Sequence, residues 1–133
     1  MSDCIFCKIA AGEIPSMKIY EDEETLAFMD VAKDVDGHIL VIPKKHYTNI
    51  FDITPDTLNA VMHTVQLVSN HLKDDCGYEG INLFNNNAEC AGQAVPHYHI
   101  HIIPRKTGDA IDANPKFDGA KVDLDTMHEQ LKM

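Results

Sequence analysis

Residues 96–105 read Pro-His-Tyr-His-Ile-His-Ile-Ile-Pro-Arg, with a histidine at every second position from His97 to His101. In an extended strand, side chains alternate between faces, so His97, His99 and His101 share one face while Tyr98, Ile100 and Ile102 share the other. Neighbouring imidazoles then stand about 6.6 Å apart, at about 3.3 Å per residue. Two chemical readings follow. All three rings could hold one metal, as in three-histidine zinc sites. Alternatively, one ring is a nucleophile and the others hold charge or metal. An unperturbed histidine is about three-quarters neutral at pH 7, so a nitrogen lone pair is available for either role. The loop just upstream, Asn86-Asn87-Ala88-Glu89-Cys90-Ala91-Gly92-Gln93, favours the second. Small and amide residues can turn backbone N–H groups towards an anion, and Gly92 lets the chain approach a phosphate closely.

The histidine strand belongs to a chain of 133 residues, which fits one domain spanning residues 1–133. Eleven Lys and Arg against 21 Asp and Glu give a formal charge of −10, so no nucleic acid and no anionic membrane is expected as a partner. A small phosphorylated ligand stays open, because from Cys90 to Gly108 there is no acid at all. The first ten residues, MSDCIFCKIA, lack a basic start and a long apolar run, so the chain reads as cytoplasmic with no leader. The run Ile39-Leu40-Val41-Ile42 is too short to span a bilayer.

Residues 4–10 predict a short helix ending near Gly12. Lys18–Glu21 and Thr25–Met29 predict strands joined by the acidic turn Asp22–Glu24, and His38–Ile42 a buried strand closed by Pro43. Thr54–Pro55 starts the clearest helix, a capping hydroxyl followed by proline at the first helical position. Leu58, Val61, Met62, Val65, Val68 and Leu72 then form one apolar stripe, and Gly77 ends it. Gly80–Phe84 and Tyr98–Ile103 complete five strands, with a short helix after Val122 in a loop-rich tail. The expected fold class is α+β, a five-stranded and mainly antiparallel sheet with one long helix and a short N-terminal one.

The pattern resembles the histidine triad (HIT) family of nucleotidyl hydrolases and transferases. The match is His97-Tyr98-His99-Ile100-His101-Ile102-Ile103 preceded by Ala91-Gly92-Gln93-Ala94-Val95. It extends through Cys4-Ile5-Phe6-Cys7-Lys8-Ile9, Glu13-Ile14-Pro15, Tyr20-Glu21-Asp22, Ala27-Phe28-Met29-Asp30 and Gly37 to His46, covering residues 4–105. The resemblance implies a HIT-like fold and a homodimer. It also implies cleavage of a nucleoside 5′-phosphoramidate or related adenylated compound, the substrate being a purine nucleotide. The middle histidine, His99, becomes the nucleophile that carries a nucleotidyl intermediate, which water then cleaves. His101 binds and stabilises phosphate charge; Gly92, Gln93, Ala94 and Asn86 belong to the phosphate region. Asp30 accepts from the ribose hydroxyls, a role suited to an acceptor-only carboxylate. Ile5, Phe6, Ile9, Phe28 and Val31 form the slot for the base, positions that ordinary core packing would fill equally well. The rival activity is hydrolysis of a dinucleoside polyphosphate, and the non-enzymatic rival is a purine-nucleotide-binding regulatory module.

One position departs from the family pattern. Ala94 stands where the family carries Ser or Thr, so no hydroxyl assists the leaving group. Cys4 and Cys7 form a CxxC pair, half of a zinc site or, in another context, a redox pair. The resemblance completes the zinc set with His46 and His97, a Cys2His2 group that binds Zn2+ as a closed, neutral, structural site. Cys76 and Cys90 read as free thiols. His38, His63, His71 and His128 show no partner, and Arg105 reads as solvated.

Overall fold

The computed structural model describes residues 3–133; Met1 and Ser2, the start of the stretch read for a leader, lie outside the described residues. Cys4 caps the first helix, α1 (Ile5–Ala10), its sulfur accepting from the Cys7 N–H at 3.4 Å. Strands β1 (Lys18–Glu21) and β2 (Thr25–Met29) follow. Between them Asp22 Oδ1 accepts from the N–H groups of Glu24 and Thr25 at 2.9 and 2.8 Å, a side-chain turn that closes the hairpin. Next come β3 (Ile39–Pro43), the long helix α2 (Pro55–Asp74), β4 (Gly80–Phe84), β5 (Ile100–Arg105) and α3 (Leu124–Leu131). The sheet order is β1-β2-β3-β5-β4, and every neighbouring pair is antiparallel. The expected α+β class and five-stranded sheet are therefore observed.

The two faces of the sheet are covered differently. Val61, Val65, Val68 and Leu72 of α2 pack on Ala27, Ile39, Val41, Ile100 and Ile102. The alternate residues Leu26, Phe28, Leu40 and Ile42 face the other way, onto Phe6 and Ile9 of α1. A polar tie crosses the first of these layers: the hydroxyls of Thr25 and Thr64 lie 2.6 Å apart, both fully buried. Because α1 is short, it leaves the rest of its face open.

Two strands differ from expectation. Strand β3 begins at Ile39 and includes Pro43, and β5 begins at Ile100 and continues to Arg105. His97, Tyr98 and His99 keep the alternation but bond to loops instead of a ladder. The Tyr98 N–H donates to Tyr47 O at 2.7 Å, and His99 O accepts from Asn85 Nδ2 at 2.9 Å. Only His101 of the three lies in the strand, where it sits opposite Leu40 on one side and Phe84 on the other. Among the described residues no helix is long and apolar enough to cross a membrane.

Candidate active site and adjoining metal centre

On the α1 face a cavity of about 750 Å³ opens beside the histidines. Ile5, Phe6, Ile9, Phe28 and Val31 all line it, together with Asp30, Ala94, His99 and His101. Phe6, Ile9 and Phe28 are buried and serve as core and wall at once, while Ile5 and Val31 stand at the rim, 48% and 88% exposed. The fold dictates this grouping. Phe28 of β2 pairs with Leu40 of β3, and Leu40 pairs with His101 of β5, so one row across the sheet forms the floor.

The nitrogen assignments of the rings follow from their partners. His99 is buried, and its Nδ1 lies 2.7 Å from His97 O. A carbonyl only accepts, so Nδ1 carries the hydrogen and Nε2 keeps the lone pair. Burial lowers the pKa of His99 below its ordinary value, with the His97 carbonyl and the Asp30 charge opposing the shift. Burial, together with the neighbouring His99 and His38, pushes His101 down to about 4. Phe6 meets His99 edge-on, with ring centroids 5.1 Å apart, and fixes the plane of the ring.

Behind His101 stands His38, buried and bonded at both ends. Its Nε2 lies 2.9 Å from His101 Nδ1, and its Nδ1 lies 2.8 Å from Asp34 Oδ1. The hairpin between β2 and β3 places it: the Asp30 N–H donates to His38 O at 2.9 Å, so the two residues face each other just beyond the ladder. Asp30 Oδ1 accepts from the Ala32 N–H at 2.8 Å, and its Oδ2 is 3.5 Å from His38 Nε2.

Cys4, Cys7, His46 and His97 converge beside the cavity, with their ligand atoms all within 4.8 Å of one another. His46 Nδ1 and His97 Nδ1 are 3.2 Å apart; Cys7 Sγ is 3.3 Å from His46 Nδ1, and Cys4 Sγ is 3.3 Å from His97 Nδ1. Ligands at zinc's usual bond lengths and tetrahedral angles are separated by about 3.4–3.7 Å, so the four atoms fit one ion with little movement. His97 Nε2 lies 2.8 Å from Pro43 O and must donate to it, which leaves Nδ1 as the free lone pair aimed at the centre. Burial, and then the adjacent Cys4, push the Cys7 thiol up to about 11. A bound cation reverses that preference by stabilising thiolate.

A family model of the HIT domain matches residues 11–108. The chain belongs to the HIT family. It is 50% identical over 103 residues to Protein hit of Bacillus subtilis, covering 77% of this chain and 71% of that one. It is 36% identical to adenosine 5′-monophosphoramidase HNT1 of Candida albicans, over 98% of this chain and 90% of that one. It is also 40% identical to adenylylsulfatase HINT3 of Arabidopsis thaliana, over 98% of this chain and 66% of that one. Among solved structures, a HIT family protein of Bacillus anthracis superposes with a TM-score of 0.82 at 40% identity, covering 96% and 92% of the two chains. A zinc-bound histidine triad protein of Mycobacterium smegmatis superposes with a TM-score of 0.78 at 33% identity, covering 88% and 85%.

Within this HIT domain the loop before the histidines is an internally bonded unit. Gln93 Nε2 donates to Thr48 O and Val95 O at 2.6 and 3.0 Å, and its Oε1 accepts from the Ala88 N–H at 2.8 Å. The N–H groups of Gly92 and Gln93 donate to Glu89 O and Ala88 O at 2.9 and 3.1 Å. Asn86 lies against Gly92, whose φ of +90° suits a residue without a Cβ. Gly92 and Gln93 thus brace the loop with Asn86 beside them, and Ala94 and Val95 are its residues on the cavity wall.

Several residues of the HIT domain have partners that spacing did not reveal. His38 is the foremost, and His71 pairs with Asp75 at 2.8 Å. Arg105, expected to be solvated, is held by Asp109 Oδ2 at 2.9 Å, Asn82 Oδ1 at 2.7 Å and Ile111 O at 2.6 Å. Pro15, Ser16, Met17, Lys33 and Leu40 also line the cavity. The signal for His38 was its position one residue before β3, next to Gly37 and within reach of Asp34.

Proposed function

We propose that the protein is a nucleotidyl hydrolase that cleaves nucleoside 5′-phosphoramidates, or related adenylated compounds, through a nucleotidyl intermediate on His99. One observation carries this reading: His99 lines the cavity with Nδ1–H committed to His97 O, leaving Nε2 as the nucleophilic nitrogen. In the first step Nε2 bonds to the α-phosphorus and the bond to the leaving group breaks. In the second, water cleaves the new P–N bond and releases the nucleoside monophosphate. Asp30 accepts from the ribose hydroxyls, His101 faces the phosphate, and Phe6, Ile9 and Phe28 with Ile5 and Val31 hold the base. Gly92, Gln93 and Asn86 act on the phosphate region through the shape of their loop. The names of the Candida and Arabidopsis relatives support nucleotide hydrolysis of this class.

The Cys4, Cys7, His46 and His97 set would hold zinc as a structural ion, clamping α1 to the sheet beside the cavity. That assignment gives His97 a different task from His99, and the opposed orientations of their bonded nitrogens support it. The same reading makes the protein a cytoplasmic homodimer.

The test is release of AMP from adenosine 5′-phosphoramidate. Wild-type protein should turn over, and His99→Ala should lose at least about 10³-fold while still binding nucleotide, as expected for loss of a nucleophile. Equal turnover by both proteins would overturn the reading. Cleavage of dinucleoside polyphosphates alone would replace the substrate, and nucleotide binding without any turnover would replace the enzyme with a binding module.

A further inference from the structure

The Cys2His2 group is not the only cluster of metal-ligating atoms in the protein. Asp30, His38 and His101 each offer one ligand atom, and these also lie within 4.8 Å of one another. His38 Nε2 is 2.9 Å from His101 Nδ1 and 3.5 Å from Asp30 Oδ2. Two atoms each about 2.1 Å from one ion are about 3.0 Å apart at a right angle and about 3.4 Å apart at a tetrahedral one. The three groups therefore need only small shifts to share an ion.

The surroundings of His38 match those of a ligand histidine. Metal-binding imidazoles commonly donate their second N–H to a carboxylate, which fixes the ring and sharpens the lone pair on the other nitrogen. Asp34 Oδ1 takes that place at 2.8 Å from His38 Nδ1. The His38–Asp34 contact is also what chiefly holds the Asp34 carboxyl below its usual range. Asp30 keeps its backbone fixed through His38 O and directs Oδ2 to the same point.

We propose that Asp30, His38 and His101 form a second metal site, open to the cavity, for a divalent first-row transition ion. Two imidazoles and one carboxylate select such an ion over Ca²⁺ or Mg²⁺, which prefer all-oxygen shells. Three protein ligands leave further positions for water. The ion replaces the hydrogen bond between the two rings. His38 already accepts at Nε2 when Asp34 takes its Nδ1 hydrogen, so His101 gives up its Nδ1 hydrogen and gains one at Nε2. No net proton leaves the pair. With no thiolate in the set, the ion binds more weakly than at the cysteine centre and exchanges with solvent. Asp30 and His101 are also the groups given to ribose and phosphate above; resting on that reading, ion and nucleotide exclude each other, and the ion is an inhibitor.

The experiment is a Ni²⁺ titration of the purified 133-residue chain by calorimetry, with nickel per chain measured by equilibrium dialysis. Wild type should take up one more Ni²⁺ per chain than either Asp30→Asn or His38→Ala. Sulfur-to-nickel charge-transfer absorption reports any nickel at the cysteines separately. Asp34→Asn should keep the stoichiometry and weaken binding by about 10–100-fold, as for other carboxylates behind a ligand histidine. His128→Ala should change nothing. Circular dichroism of each variant separates loss of the site from loss of the fold. Uptake unchanged in well-folded Asp30→Asn, or no uptake by wild type beyond the cysteine centre, would overturn the proposal. AMP should raise the apparent nickel Kd. Nickel binding with the mutational pattern above but indifferent to AMP would uphold the ion site and instead remove nucleotide from this cavity.

Discussion

His97 and His99 are two residues apart on one face, yet their rings are committed in opposite senses. His97 donates from Nε2 to Pro43 O at 2.8 Å and offers Nδ1 to the cysteines; His99 donates from Nδ1 to His97 O at 2.7 Å and keeps Nε2 free. A shared three-histidine metal site would need all three lone pairs to converge, and these carbonyls prevent it. The alternation was legible in the sequence. The tautomers were not, because both carbonyl partners depend on where the chain bends. Ala94 makes the same scale testable. Its methyl lines the cavity where a hydroxyl could steady a leaving group. An amine leaving group must acquire a proton, whereas an acid leaving group departs as a stable anion. Ala94→Ser should therefore raise kcat for adenosine 5′-phosphoramidate by about 10²-fold, the low end of what a positioned proton donor contributes. The same variant should leave turnover of an adenylated acid nearly unchanged; an equal effect on both would argue that Ala94 lies away from the leaving group.

Among the elements, β1, β2 and β4 keep the bounds read from the sequence because the turns that flank them are marked locally, by Asp22 between β1 and β2 and by Gly77 before β4. Strand β5 begins two residues late because loops around Tyr47 and Asn85 capture the backbone of Tyr98 and His99, and such tertiary partners leave no local signal. The loop before it shows the same limit. Gln93 reads as a ligand-facing amide, but the fold uses its side chain to tie Thr48, Ala88 and Val95 together. The loop also contains strain: Ala88 has φ 79° and ψ 157°, a region that favours glycine. Holding a side chain there costs about 1–3 kcal/mol, against about 0.5–1 kcal/mol for the added freedom of glycine when unfolded. Ala88→Gly should stabilise the protein by about 1 kcal/mol in urea unfolding. A destabilised variant would mean that the Ala88 methyl makes a favourable contact outweighing the strain.

At the scale of the molecule, the sheet separates two tasks. The α2 face carries the continuous core, and the α1 face carries the cavity with the Cys4, Cys7, His46 and His97 cluster at its edge. The apolar stripe of α2 announced the first face apart from Met62, which is 41% exposed, while Thr64 is buried. The second was legible only as a set of residues, since α1, β2, β3 and β5 bring Cys4, Asp30, His46 and His99 together across more than 90 positions. On the proposed zinc reading, the Cys4, Cys7, His46 and His97 cluster ties the N-terminal segment to this assembly. Cys4→Ala should lose one zinc per chain and lower Tm by about 5–10 °C, at about 3–5 °C per kcal/mol for a domain of this size. His99→Ala should retain the zinc, and zinc loss in His99→Ala would point to a metal shared by the triad.

The intermediate on His99 is the claim on which the rest depends, and it can be trapped. Adenosine 5′-phosphoramidate labelled in the α-phosphorus, mixed with enzyme and quenched within one turnover, should leave acid-labile label on the peptide carrying His99. His99→Ala should carry none. Turnover without any covalent label in the wild type, or label that persists in His99→Ala, would contradict the account.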